Sequence, residues 1–201
     1  LDDAPGQALT VHIARPQLAL TLDQKWRVAK DLLAALAHAH HHGVVHRNLT
    51  PGAILIGQDG TTRITDFDFA KPGVDRSLTI ATDIVDLVEK AYVAPEAFRE
   101  PGAASSASDI FSAGVILYEL FTGERPFAGE PTTVWDRAGE FLNKPSALRP
   151  ELNEAFDAWL QSLCAFDEHQ RLTASAALAA LNALLQPVAQ VANQPAEAPK
   201  P

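Results

Sequence analysis

Four short stretches hold the residues whose types and spacing could do chemistry. HRNLTPGAILI (46 to 56) sets His46, Arg47, Asn48 and Thr50 close together, and DFDF (66 to 69) places the carboxylates of Asp66 and Asp68 one residue apart. Such oxygens could hold Mg²⁺. The plainer reading of the pair is loop caps and solvated charges. AHAHHH (37 to 42) puts His38 and His42 four apart, on one face of a helix. With no carboxylate or cysteine at ligand spacing, a helix end that favours partly cationic side chains is expected there rather than a metal site. Cys164, the only cysteine, lies in the apolar run QSLCAF. It reads as a buried, inert thiol; no intrachain disulfide can form, which fits a reducing compartment and a cytoplasmic location.

The elements around these residues are read from periodicity and punctuation. Thr21 with Gln24 makes a capping-box spacing, and Trp26, Ala29, Leu33, Leu36, Ala37 and His40 recur at helical intervals, which predicts a helix from Asp23 to His42 stopped by Gly43. AILI (53 to 56) and TRIT (62 to 65) are β-rich runs joined by GQDGT, whose Asp59-Gly60 signals a hairpin. From Phe67 to about Ser108 no period is sustained, as in a long surface loop. Ser108 then reads as the cap of a helix apolar on nearly every side, DIFSAGVILYELFT, closed by Gly123. Further helices are predicted at Thr133 to Leu142, Asn153 to Phe166 and Thr173 to Leu185, the last capped by Thr173. The fold class is mainly α with short β-hairpins. Residues 1–186 form one domain, and 187–201, rich in Pro, Ala and Gln, read as a linker or loose tail.

Composition narrows the function classes. The chain has 201 residues, 47% hydrophobic and 20% charged, enough for one domain with a core. A net charge of −9 argues against an electrostatic grip on nucleic acid or an anionic membrane, and the partners expected are proteins or small ligands. No stretch is long and apolar enough for a spanning helix, and no signal peptide is visible. The chain contains no Met, and Leu1 reads as an arbitrary cut in something longer. The Ala-rich composition has a bacterial character.

The order of motifs resembles the protein kinase family, over roughly Leu1 to Leu185. HRN is similar to the catalytic H-R-D, DFDF to D-F-G, YVAPEAF (92 to 98) to A-P-E, SDIFSAGVILYELFTGERPF (108 to 127) to the central helix that follows, and Arg171 in HQRLTA to the late Arg. The Gly-rich loop, the V-A-I-K lysine and its glutamate partner have no counterpart in the chain, so the resemblance is to the helical C-lobe, with the N-lobe absent. LDDAPGQALTVHI resembles the segment just after the hinge.

The resemblance implies two groups of residues. His46 would help fix the loop, Asp109 would accept hydrogen bonds from the loop backbone, and Glu96 with Arg171 would form an ion pair tying the activation segment to the lower helices. Arg47 would either neutralise a phosphorylated Ser77, Thr79 or Thr82 or, on the plainer reading, bond loop carbonyls. The chemical positions depart from the family. Asn48 stands in place of the Asp base, and its amide can orient a hydroxyl without taking the proton, a loss of ~100- to 10,000-fold for general-base work. Thr50 replaces a phosphate-facing Lys, and Ala53 removes a metal ligand. Asp66 could still ligate Mg²⁺, but Asp68 stands where Gly is expected.

The expectation is therefore a Ser/Thr-type pseudokinase lobe, a regulatory or scaffolding binding module of a larger signalling protein, with no cofactor required. Leu55 and Thr65 would belong to the floor of a nucleotide cleft completed elsewhere in the parent protein, where ATP and Mg²⁺ could bind without turnover. The alternative is an active atypical Ser/Thr kinase with Asp68 or another group as base. A third reading is an interaction surface with no nucleotide site.

Overall fold

The computed structural model describes residues 6–67, 91–127 and 141–186. A short strand β1 (Gly6–Ala8) runs into helix α1 (Leu9–Ala14) and a 3-10 turn at Pro16–Leu18, and the long helix α2 spans Leu22–His41. A second 3-10 turn, Pro51–Ala53, leads to strands β2 (Ile54–Gly57) and β3 (Thr62–Ile64). Beyond them lie α3 (Pro95–Arg99), α4 (Ser106–Thr122), α5 (Pro145–Leu148), α6 (Glu154–Leu163) and α7 (Ala174–Leu184). No described helix is long and apolar enough to cross a membrane.

Local chemistry explains where α2 begins and ends. Thr21 Oγ1 accepts from the Gln24 N–H, and Gln24 Oε1 accepts from the Thr21 N–H at 2.8 Å, so two donors of the first turn are satisfied reciprocally. Val28, Ala29, Leu32, Leu33 and Leu36 form a buried stripe at helical spacing, which packs on α4, α7 and β3. Gly43, at φ 72°, turns the chain out of the helix in a conformation that a side chain would resist.

Helix α4 is the centre of the body. From Ser108 to Thr122 every residue except Glu119 is buried, and α2, α5 and α6 pack around it. Gly114 permits the approach of α6: a Cβ there would lie 2.5 Å from Cys164 Sγ and 2.9 Å from Leu163 Cβ. The last carbonyls of α4 are met by cations. Lys25 Nζ donates to Phe121 O at 3.3 Å and Arg149 Nη2 to Thr122 O at 2.8 Å, which complements the negative helix end. Burial, and then the Arg149 charge, hold the Lys25 amine below its usual range. Beside these groups Trp26, Phe121 and Phe156 pack with ring centroids 4.4 to 5.2 Å apart.

Several expected boundaries change. The cap of α4 is Ser105, not Ser108; Ser108 sits at the third helical position, where its Oγ accepts from the Ser105 N–H at 3.0 Å. The sheet is more than a hairpin, because β1 pairs antiparallel with β2 (Gly6 opposite Gly57) as β2 does with β3 (Ile54 opposite Ile64). Three residues are too few to show a period. The described part of the expected surface loop, residues 91 to 108, buries Tyr92, Ala94, Pro95, Ala97 and Ala104 and carries α3, started by Pro95 at its first position. Residues 133–140 of one predicted helix and the predicted tail at 187–201 lie outside the described residues, and Phe141 and Leu142 are not helical.

Candidate functional site: the 46–53 loop and its anchors

The loop between α2 and β2 begins on a buried carboxylate. Asp109, four residues into α4 and 1% exposed, takes the His46 backbone N–H on Oδ2 at 2.8 Å and the Arg47 N–H on Oδ1 at 2.8 Å. Presenting two consecutive N–H groups to one carboxylate holds Arg47 at φ 68°, in the left-handed region that bulky residues avoid. A third donor comes from α2, where His40 Nε2 lies 2.9 Å from Asp109 Oδ2. Charge-assisted bonds of this kind are roughly twice as strong as neutral ones. His40 falls on the predicted apolar face of α2, and the clue to its partner is chemical: a ring nitrogen on such a face must find one.

The His46 ring then joins the loop to the hairpin. Its Nε2 donates to Thr65 O at 2.7 Å, and a carbonyl can only accept, so Nε2 carries the proton. Nδ1 is thereby an acceptor, and the Asn48 N–H lies 3.3 Å from it. Thr65 also donates its N–H to Ala53 O at 2.9 Å, while its hydroxyl lies 3.3 Å from both Ala53 O and Asp66 Oδ2. Phe67 packs on His46 with ring centroids 4.8 Å apart. Asp66 is exposed and sits at φ 63°. Leu55, in the middle of β2, is half-buried. Asn48 and Thr50 are half-buried, and Ala53 is buried at the start of β2.

A second anchor stands on the same turn of α4. Arg171 donates Nη1 to Glu96 Oε1 at 2.6 Å and Nη2 to Oε2 at 2.8 Å, a two-pronged pair. Its remaining N–H groups reach Ala107 O, Phe166 O and Ala165 O, so all five donors of the guanidinium are used. Burial pushes the Glu96 carboxyl up, but the hydrogen bonds from Arg171 and Ser108, with the Arg171 charge, together outweigh it and hold the group below its usual range. Ser108 Oγ donates to Glu96 at 2.7 Å and Ser112 Oγ to Tyr92 O at 2.7 Å. Adjacent residues of one helix, Ser108 and Asp109, therefore hold the α3 side and the loop side. Ser108 and Ser112 act here as connectors, which cap spacing alone does not reveal.

Nothing in this arrangement makes a nucleophile of Cys164, whose thiol is pushed up to about 12 by burial. Asp68, Ser77, Thr79 and Thr82 lie outside the described residues. Among the described residues no three His, Cys, Asp or Glu side chains are placed to hold a metal ion. For Mg²⁺, Asp66 offers a carboxylate with Oδ2 near the Thr65 hydroxyl, and Ala53 offers no side-chain oxygen. Mg²⁺ takes oxygen donors, and of these two positions Asp66 supplies one.

A sequence model of the protein kinase domain matches residues 2–181. The chain belongs to the protein kinase family. It is 33% identical over 156 residues to the probable serine/threonine-protein kinase PknB of Lactococcus lactis, covering 77% of this chain and 24% of that protein. It is 41% identical over 103 residues to the serine/threonine-protein kinase PknL of Mycobacterium tuberculosis, covering 51% and 25%. It is 34% identical over 152 residues to the DNA damage-responsive serine/threonine-protein kinase RqkA of Deinococcus radiodurans, covering 75% and 22%. The chain thus spans about a quarter of the length of these relatives. The matched span includes the loop on Asp109 and the Glu96–Arg171 pair.

Proposed function

We propose that this chain is the helical lobe of a pseudokinase: a module that no longer transfers phosphate and serves as a regulatory or scaffolding binding domain in a larger signalling protein. The observation that carries the reading is Asn48 in a loop whose backbone is still fixed by Asp109. An amide in place of the base cannot accept a hydroxyl proton at neutral pH, however well it is positioned. Ala53 and Thr50 remove a metal ligand and a positive charge that would stabilise the transferring group. In this reading Leu55 and Thr65 contribute to the floor of a cleft where nucleotide binds as a structural ligand, Asp66 is its one remaining contact to a cation, and the functional partners are proteins.

The test is made on the polypeptide that carries this lobe together with the rest of its kinase-like domain. Transfer of radiolabelled phosphate from Mg-ATP to generic protein substrates should stay at background, while added nucleotide raises the melting temperature by mass action. Metal-dependent turnover by the natural sequence would sink the proposal.

A second reading, an active atypical Ser/Thr kinase, is favoured by the relatives, which carry the names of serine/threonine-protein kinases. Asp68 is then the candidate base. Turnover that Asp68→Ala abolishes would establish this reading, and absence of turnover in both proteins would remove it.

A further inference from the structure

The last turn of α2 and its cap carry four histidines with different fates. His40 turns inward to Asp109. His38, His41 and His42 are exposed. The His38 and His42 rings lie with centroids 4.4 Å apart, and His41 meets His42 edge-on at 5.3 Å. His42 Nδ1 is 2.8 Å from His38 O. Because a carbonyl only accepts, Nδ1 carries the proton, and in the neutral ring the lone pair is on Nε2. A ring N–H bonded to a backbone carbonyl is the outer contact that orients histidine ligands in metal sites.

We propose that His38 and His42 form a two-imidazole chelate for a late first-row divalent cation of the Zn²⁺, Ni²⁺ or Cu²⁺ class. Two imidazoles bound side by side to one ion at about 2.0–2.1 Å hold their ring centroids roughly 4.5–5 Å apart, close to the 4.4 Å of this pair. The ion would sit at the C-terminal end of α2, where the helix dipole favours positive charge. Nitrogen donors select late first-row metals over Mg²⁺ and Ca²⁺, which take oxygen. Water fills the remaining positions. The site is separate from the Asp66 position and independent of whether the loop is catalytic. Its consequence is local: the cation ties together the turn that carries His40 and so stiffens the helix end that feeds the 46–53 loop.

The experiment uses the chain freed of any polyhistidine tag, in a buffer that does not bind metal. Isothermal titration with Zn²⁺ and Ni²⁺ should show one saturable site, Cu²⁺ should give an electron paramagnetic resonance spectrum with nitrogen splitting, and Mg²⁺ should give neither. His38→Ala and His42→Ala should each weaken binding by more than the roughly 10- to 100-fold that loss of an orienting partner costs. His41→Ala should leave it unchanged. All three positions are exposed, so the variants fold, as circular dichroism checks. No binding by the natural chain, unchanged binding in His38→Ala or His42→Ala, or an equal loss in His41→Ala would overturn the chelate.

Discussion

The inner and outer sides of the 46–53 loop differ in how they are held. On the inner side, His46 and Asp109 are buried and their polar atoms are matched by donors and acceptors from α2, α4 and the end of the hairpin. On the outer side, Asn48 and Thr50 are half-buried, and Asp66 is exposed with the neighbouring Thr65 hydroxyl 3.3 Å from its carboxylate. Among the described residues, the motif positions His46, Glu96, Asp109 and Arg171 lie on the inner side or at its second anchor, and Asn48 and Thr50 lie on the outer side. The body constrains the residues that connect its elements.

Breaking the inner side should have the largest effect. Asp109→Ala leaves two buried backbone N–H groups and His40 without their acceptor, and a loss of about 3–5 kcal/mol is expected in urea unfolding. A value under about 1 kcal/mol would show that the loop does not depend on this carboxylate. Arg171→Met should cost about 3 kcal/mol by leaving the Glu96 carboxylate unpaired, with little change in far-ultraviolet circular dichroism.

The Glu96 pair also predicts a pH dependence. Its folded pKa is depressed, so its contribution is complete above the unfolded value of about 4.3 and is lost as pH falls through the folded one. The stability difference between the natural chain and Arg171→Met should accordingly shrink in acid unfolding curves and stay constant above neutrality. A smaller effect is expected at His40. His40→Ala removes one of three donors to Asp109, worth about 1.5 kcal/mol by thermal or urea unfolding. The smallest should come from the outer side, where Asn48→Asp combined with Thr50→Lys, both at half-buried positions, is expected to change stability by about 1 kcal/mol or less. A large loss in that double variant would erase the distinction between the two sides.

How much of this is legible in sequence follows from how local each interaction is. Thr21 with Gln24, Thr173, Gly43 and Gly123 announce helix ends because caps are made by residues within a few positions of one another. The apolar run from Ile110 to Phe121 announces a central helix for the same reason. The pairing of β1 with β2 and the burial around α3 do not show, because short elements carry no period and their partners are far away in the chain. At the site, residue types point to Asn48, Ala53 and Asp66, but His40 and Ser108 are visible as connectors only once α2, α3 and α4 are packed. Their bonds span 69 and 12 residues, and such separations leave no mark in local spacing.

Arg47 and Asp66 both hold left-handed backbone conformations, at φ 68° and 63°, at either end of the segment 47–66 that comprises the loop and the hairpin. Each such residue costs of order 1–3 kcal/mol and persists only where its surroundings over-determine it. In this chain that free energy has already been supplied by folding. A protein that recognises the segment would meet a rigid epitope, with little chain entropy left to remove on binding, and its association would behave as the docking of a preformed shape.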